Sequence, residues 1–196
     1  MSLTLDLLQR FEALLAEAKA SGEPEPTAMT LATSDSSGRV SARTVLLKDV
    51  GLKGFSFYTN LESNKGRQLA EHPQAALLFL WKTVRKQVQV KIEGRVEAVS
   101  EAEADAYFAS RPRDSQLGAW ASQQSRELAS RDELLAALEH YRGKFEGVQV
   151  PRPAYWSGFT LVPDMIEFWY GAPFRLHDRH RFTWSAEGWR GNLLSP

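Results

Sequence analysis

Leu5, Leu8, Phe11, Leu14, Leu15 and Ala18 recur at three- and four-residue intervals, a spacing that predicts an amphipathic helix over residues 1–22. Ser21-Gly22 ends it, and residues 23–27, with Glu23-Pro24-Glu25-Pro26, read as an extended linker. The period then changes. Residues 28–34 and 40–48 flank Asp35-Ser36-Ser37-Gly38, which predicts a hairpin. Residues 55–59 and 75–81 predict two more strands, separated by a short helix that Ser63 caps and that stops before Pro73. The clearest strand is 88–99, where Val88, Val90, Ile92, Val96 and Ala98 alternate with Gln89, Lys91, Glu93, Arg95 and Glu97. Such alternation predicts one buried and one polar face.

Ser100-Glu101-Ala102-Glu103 and Ser130-Arg131-Asp132-Glu133 have capping-box spacing and open two further helices. The first ends at Arg111-Pro112, and the second carries Leu134, Leu135, Leu138, Tyr141 and Phe145. After Pro151 and Pro153, strands are predicted at 159–162, 165–170, 181–184 and 189–193, with Ala186-Glu187-Gly188 as the last turn. No repeat or internal boundary interrupts residues 1–196, which read as a single domain. The class is mainly β with inserted helices (α+β), a barrel or closed sheet decorated by helices.

A chain of 196 residues can bury one sizeable core. Lys+Arg and Asp+Glu balance at 24 each, which argues against a general nucleic-acid or membrane-surface binder. The absence of cysteine removes disulfides, thiolate nucleophiles and Cys-ligated metals. No basic n-region opens the chain and no run approaches the ~20 apolar residues of a membrane span, so a soluble cytoplasmic protein is expected.

Two segments stand out from this even charge balance: Arg111-Pro112-Arg113-Asp114-Ser115 and Arg175-Leu176-His177-Asp178-Arg179, near Trp120 and Trp169. A guanidinium grips oxyanions with a planar fork of donors and also stacks on rings, so these segments point to a phosphorylated, ring-shaped ligand. Arg43 and Lys48 differ in strand parity, which predicts opposite faces: two anion sites, or two solvated ends of one strand. Ser63, Asn64, Lys65 and Arg67 lie at a helix N-terminus, where free N–H groups favour an anion and where capping alone also explains the serine. Tyr107, Arg111 and Ser115 follow at i, i+4 and i+8, with a break at Pro112 expected before the serine. They could converge on a phosphate or form a structural network. His177 and His180 lack the flanking ligands of a metal site, and none is expected. Gln87, the Gln124-Ser125 loop and Trp169 admit either a structural or a binding role.

Taken together, Arg43 to Lys48 (Arg-Thr-Val-Leu-Leu-Lys), Phe57-Tyr58-Thr59-Asn60, Gln87-Val88, Tyr107 to Ser115, Gly118-Ala119-Trp120, Gln124-Ser125, Ile166 to Trp169 and Arg175 to Arg179 resemble the pyridoxine/pyridoxamine 5′-phosphate oxidase family. The resemblance implies an FMN-binding split β-barrel of Greek-key type, acting as a homodimer with FMN at the subunit interface. It implies oxidation of pyridoxamine or pyridoxine 5′-phosphate to pyridoxal 5′-phosphate, with dioxygen reduced to hydrogen peroxide; the alternatives on the same barrel are a non-catalytic flavin or pyridoxal-phosphate binding protein and a flavin reductase with another substrate. FMN contacts would come from Arg43, Thr44, Val45, Leu46, Leu47, Lys48, Tyr58, Thr59, Lys65, Gln87, Gln124, Ser125, Trp169 and Arg179. Lys48, Tyr107, Arg111 and Ser115 would hold the substrate phosphate, while Arg175 and His177 would lie against the substrate ring and carry catalysis. Asn64 departs from the basic residue common there, and Leu193 stands where the family usually has an Arg just before the final Leu194-Ser195-Pro196.

Overall fold

The computed structural model describes residues 2–196. Helix α1 (Leu5–Ala20) starts at Thr4, whose hydroxyl accepts from the Leu7 N–H at 3.3 Å. Its buried stripe is Leu7, Leu8, Phe11, Leu14, Leu15 and Ala18. Leu5, expected in that stripe, is 60% exposed. A 3.6-residue period aligns positions 7, 11, 14 and 18 and turns position 5 outward. Phe11 is fully buried and meets Phe55 edge-on at 4.9 Å and Phe79 at 5.2 Å, seating α1 on the sheet.

The strands are β1 (Ala28–Ser34), β2 (Val40–Leu46), β3 (Asp49–Gly51), β4 (Gly54–Asn60), β5 (Gln74–Trp81), β6 (Val88–Ala98), β7 (Trp156–Tyr170), β8 (Asp178–Ser185) and β9 (Gly188–Leu194). They form one antiparallel sheet in the order β2-β1-β5-β6-β7-β4-β3, with β8 paired to β7 and β9 to β8. Two strands were expected where β7 runs unbroken. Its first half pairs with β4, its second with β8, and β6 follows its other edge. Pro163 and Asp164 are absorbed as a bulge opposite Glu93 and Gly94. Gly94 is required there, since a Cβ would stand 2.2 Å from the Val162 carbonyl oxygen.

Beyond β2, the Leu47 N–H donates to the Thr27 carbonyl and the Lys48 N–H to the Ser56 carbonyl. The chain thus passes from one outer strand to the other, and the sheet curls into a half-closed barrel. The short strand β3, unforeseen in the sequence, continues from this crossing.

Helix α2 (Asn64–Glu71) is capped by Ser63 as expected. Helices α3 (Glu101–Ser110), α4 (Arg113–Ala121) and α5 (Arg131–Lys144) are inserted between β6 and β7. The Ser100–Glu103 capping box is complete. The second box is half formed: Ser130 caps the Glu133 N–H, but the Glu133 carboxylate accepts from Ala129. The break at Pro112 is present, yet the chain re-enters a helix at once, because proline needs no N–H partner at an N-terminus. Phe108, Leu117, Phe145, Val150 and Trp156 make a second, smaller core under these helices.

Candidate functional site

Between the barrel wall and this helical core lies a cleft of about 770 Å³. Its lining contains four cationic side chains, Arg43, Lys48, Lys65 and Arg111, and no carboxylate. A groove of similar size between α4 and α5 sets Arg113 and Arg142 against Glu139 and Glu146, so its charges largely cancel.

Arg43 and Lys65 form the first cationic group. Arg43, on β2, donates to the Leu31 carbonyl (3.2 Å), Thr33 Oγ1 (2.5 Å) and Ser41 Oγ (2.9 Å). Lys65, in the first turn of α2, donates to Gln124 Oε1 (2.9 Å) and Thr59 Oγ1 (3.3 Å). Every one of these acceptors is neutral. Burial lowers the Lys65 pKa, and the nearby Arg43 charge lowers it further. Burial alone lowers that of Arg43. Two desolvated cations without a counter-ion make a site for an anion.

The second group stands on α3 and α4. Tyr107 and Arg111 lie at the end of α3 and Ser115 in the first turn of α4, and all three line the cleft with Lys48. Pro112 gives α4 no side-chain cap, so first-turn N–H groups add to the positive field. Arg111 Nη1 is buried without any hydrogen-bond partner. Burial lowers the Arg111 pKa, with a smaller opposing effect from Tyr107. The parity expectation for Arg43 and Lys48 fails: both line one cleft, because β2 ends at Leu46 and the crossing to β4 resets the alternation.

An aromatic wall joins the two groups. Tyr58 stacks on Tyr107 at 4.0 Å and 18°, and on Trp156 at 5.3 Å and 9°. Gly158, the cross-strand partner of Tyr58, makes room for it, since a Cβ would meet the ring at 2.6 Å. Burial, then the charge of Glu103, raises the Tyr58 pKa and keeps its hydroxyl protonated.

Thr44, Val45, Leu46, Tyr58, Thr59 and Gln124 also line the cleft, as the resemblance implied. Leu47 does not: its side chain is in the main core. Ser125, at φ 70°, borders an adjoining groove with Arg39, Arg43, Lys65 and Arg67. In that groove Asn64 accepts from Arg67 at 2.7 Å. Asn60, from the Phe57–Asn60 segment, lines the cleft too, and Ser122 and Trp156 do so without having been given a role from sequence. Trp156 follows a proline-rich turn that gives no periodic signal, which hid it.

Gln87, Trp169, Arg175, His177 and Arg179 lie elsewhere, around the end of β7 and the start of β8. The Gln87 carbonyl accepts from the Gly171 N–H at 2.9 Å. The Trp169 and His177 rings are 4.4 Å apart. His177 Nδ1 accepts from the Ala172 N–H at 3.1 Å, so a neutral ring carries its proton on Nε2. Arg179 donates to the buried Glu167 carboxylate at 2.8 Å, a bond that raises its pKa, and to the Ser195 carbonyl at 2.9 Å. Phe174 and Arg175 hold φ of 60° and 62° in an exposed turn, left-handed backbone that bulky side chains rarely adopt.

A half-closed antiparallel barrel with a carboxylate-free, four-cation cleft defines a class: a split-barrel protein whose cleft suits an aromatic anion. Residues 15–145 match the family described as pyridoxamine 5′-phosphate oxidase, and residues 156–196 match the pyridoxine 5′-phosphate oxidase C-terminal dimerisation region. The chain belongs to the pyridoxamine 5′-phosphate oxidase family. It is 56% identical over 193 residues to the pyridoxine/pyridoxamine 5′-phosphate oxidase of Xanthomonas euvesicatoria pv. vesicatoria, covering 97% of each chain. It is 53% identical over 191 residues to that of Myxococcus xanthus, covering 97% of this chain and 92% of the relative. Among solved structures, PhzG from Burkholderia lata 383 in complex with tetrahydrophenazine-1-carboxylic acid is 33% identical, with a TM-score of 0.89 over 98% of this chain and 92% of that one. A pyridoxamine 5′-phosphate oxidase-related, FMN binding protein from Nostoc punctiforme shares the fold at 15% identity, with a TM-score of 0.77 over 99% and 98% of the two chains. Strands β7, β8 and β9 therefore make up the region matched to dimerisation. Among the described residues, no helix is long and apolar enough to cross a membrane.

Proposed function

We propose that the chain oxidises pyridoxamine 5′-phosphate and pyridoxine 5′-phosphate to pyridoxal 5′-phosphate, as an FMN-dependent homodimer. The observation that carries this reading is the carboxylate-free cleft with two separate cationic groups, one for each phosphate. Arg43 and Lys65 fit the FMN phosphate, because both are desolvated, unpaired with any acid and set among neutral oxygens. Lys48, Tyr107, Arg111 and Ser115 fit the substrate phosphate: two cations and two hydroxyl donors suit a dianion.

When bound, FMN supplies the hydride acceptor and the route by which electrons reach dioxygen, leaving hydrogen peroxide. The protein's own residues bind and orient. Thr44, Val45, Leu46, Tyr58, Thr59 and Gln124 line the wall along which the cofactor lies, while Leu47, with its side chain in the core, has only backbone to offer. Gln87, Ser125, Trp169 and Arg179 would complete its contacts, with Gln87, Trp169 and Arg179 supplied across the subunit interface. Arg175 restrains the substrate ring, and His177, with Nε2–H free to donate, orients the reacting C4′ substituent or moves its proton. For the amine, water then releases ammonia and leaves the aldehyde. A cytoplasmic location belongs to the same proposal and is checked by cell fractionation.

A second reading follows from the 33% identical PhzG structure, whose bound ligand is a tricyclic carboxylic acid. A carboxylate offers one fewer oxygen than a phosphate to the four donors here, which favours the phosphate. Oxygen uptake by the FMN-loaded protein decides the matter. Uptake with pyridoxamine 5′-phosphate supports the proposal; uptake only with the tricyclic acid supports the second reading. Neither result would leave a non-catalytic binder on the same barrel.

A further inference from the structure

Trp156, the first residue of β7, is 6% exposed and would pass for core. Its surroundings are unusual for that role. The Arg111 guanidinium lies 4.7 Å from the centre of its ring, with Nη1 buried and unpartnered. The other rings in contact are Tyr58 and Tyr107, near-parallel to the indole at 9° and 10°, and Phe108 edge-on at 5.0 Å. A buried cation without a counter-charge is costly, and the negative face of an indole offsets part of that cost better than any other side-chain ring.

The backbone of Trp156 is tied to the same helix. Arg152, whose side chain is only 9% exposed, donates to the Trp156 carbonyl at 2.7 Å and to Asp105 at 2.6 Å, and also pairs with Glu101. Both acids lie on α3, the helix that ends in Tyr107 and Arg111. The start of the strand is thereby tied to the first half of the helix whose far end carries Tyr107 and Arg111.

We propose that Trp156 is a positioning residue for phosphate recognition: its indole carries Arg111 and aligns Tyr107, fixing two of the phosphate donors before substrate arrives. This rests on the proposed function, and deepens it. Pre-set donors spare the ordering that a free arginine would undergo on binding. The effect falls on affinity for the phosphate ester, whereas a space-filling role would loosen FMN and slow turnover together.

The test uses FMN-loaded Trp156→Leu and Trp156→Phe, with KM and kcat for pyridoxamine 5′-phosphate, and competitive inhibition by unphosphorylated pyridoxamine and by inorganic phosphate. The Leu variant is expected to raise KM for the ester about tenfold and weaken phosphate inhibition in parallel. Its kcat and FMN content should change less than about twofold, and inhibition by unphosphorylated pyridoxamine should hardly move. The Phe variant should recover most of the loss, leaving KM raised about threefold, and its effect should shrink in an Arg111→Ala background, where only the alignment of Tyr107 is left to lose. If the Leu variant does not fold, the Phe variant and that cycle decide. A wild-type KM in either variant, additive losses in the cycle, or a joint fall of kcat and FMN content overturns the inference. If the unsubstituted protein oxidises neither ester, the functional proposal fails first; if it does and Trp156 proves neutral, only the present inference fails.

Discussion

The cleft and the β7–β8 turn are built in opposite ways. In the cleft, cations rest on neutral oxygens or on a ring, Gly158 makes space for Tyr58, and Arg152 locks α3 to β7. In the turn, Phe174 is 93% exposed, and it shares left-handed backbone with Arg175. One region packs and hydrogen-bonds most of its side chains within a single chain. The other holds strain that nothing in that chain repays, as expected of a segment completed by a partner. Its position inside residues 156–196, matched to the dimerisation region, agrees with that.

The largest expected effect is in the cleft. Arg111→Ala removes a charged phosphate contact, on the order of 1.5–3 kcal/mol, and should raise KM for the ester about 10- to 100-fold with FMN retained. Steady-state kinetics at wild-type KM would break the assignment. Arg175→Ala should lower kcat/KM about tenfold, again without FMN release. Mixing the two variants as subunits should restore about a quarter of wild-type activity, because half the dimers are mixed and each regains one intact site. No recovery on mixing would mean that each turn serves its own chain's cleft.

Gly158→Ala should destabilise the protein by about 1–3 kcal/mol and loosen FMN, since the added methyl meets the Tyr58 ring. Thermal denaturation and flavin content measure both. Phe174→Gly should instead raise stability by up to ~1 kcal/mol, through relief of left-handed strain, while kcat/KM falls. A rise in both would show that the strain has no use.

The smallest effect concerns pH. Anion binding requires protonated Lys65, whose pKa in the free protein is lowered by burial and by Arg43. Binding therefore costs proton uptake once pH exceeds that pKa. FMN affinity should begin to fall with rising pH below the ordinary lysine value of ~10.4. Lys65→Arg should flatten the decline in a flavin-fluorescence titration from neutral to alkaline pH.

Much of the barrel was legible because alternation and caps are local signals. Val88 to Ala98, the Asp35–Gly38 turn, and the Ser63 and Ser100 caps all carry their partners within a few residues. Three features were not legible. β7 runs through Pro163 because a bulge opposite Gly94 accommodates it, and that depends on a neighbouring strand. Helix α4 restarts directly after Pro112, and it packs Leu117 into a core that includes Phe145 and Val150, far along the chain. Arg43 and Lys48 reach one cleft only because the chain crosses to β4 after Leu46.

Sequence alone determined which side chains were available and what chemistry they favour: cations beside hydroxyls and rings, no thiol, no metal pattern. Residue type sets charge and donor geometry before any fold exists. Only the tertiary structure decided which of them meet. It drew Arg43 from the middle of β2, Lys48 from the crossing after it, and Lys65 and Arg111 from two helices into one acid-free cleft, and left Arg175 and His177 outside it. Convergence of that kind depends on the curl of the sheet and the register of α3 on β7, contacts whose members are too far apart in the chain to leave a local pattern.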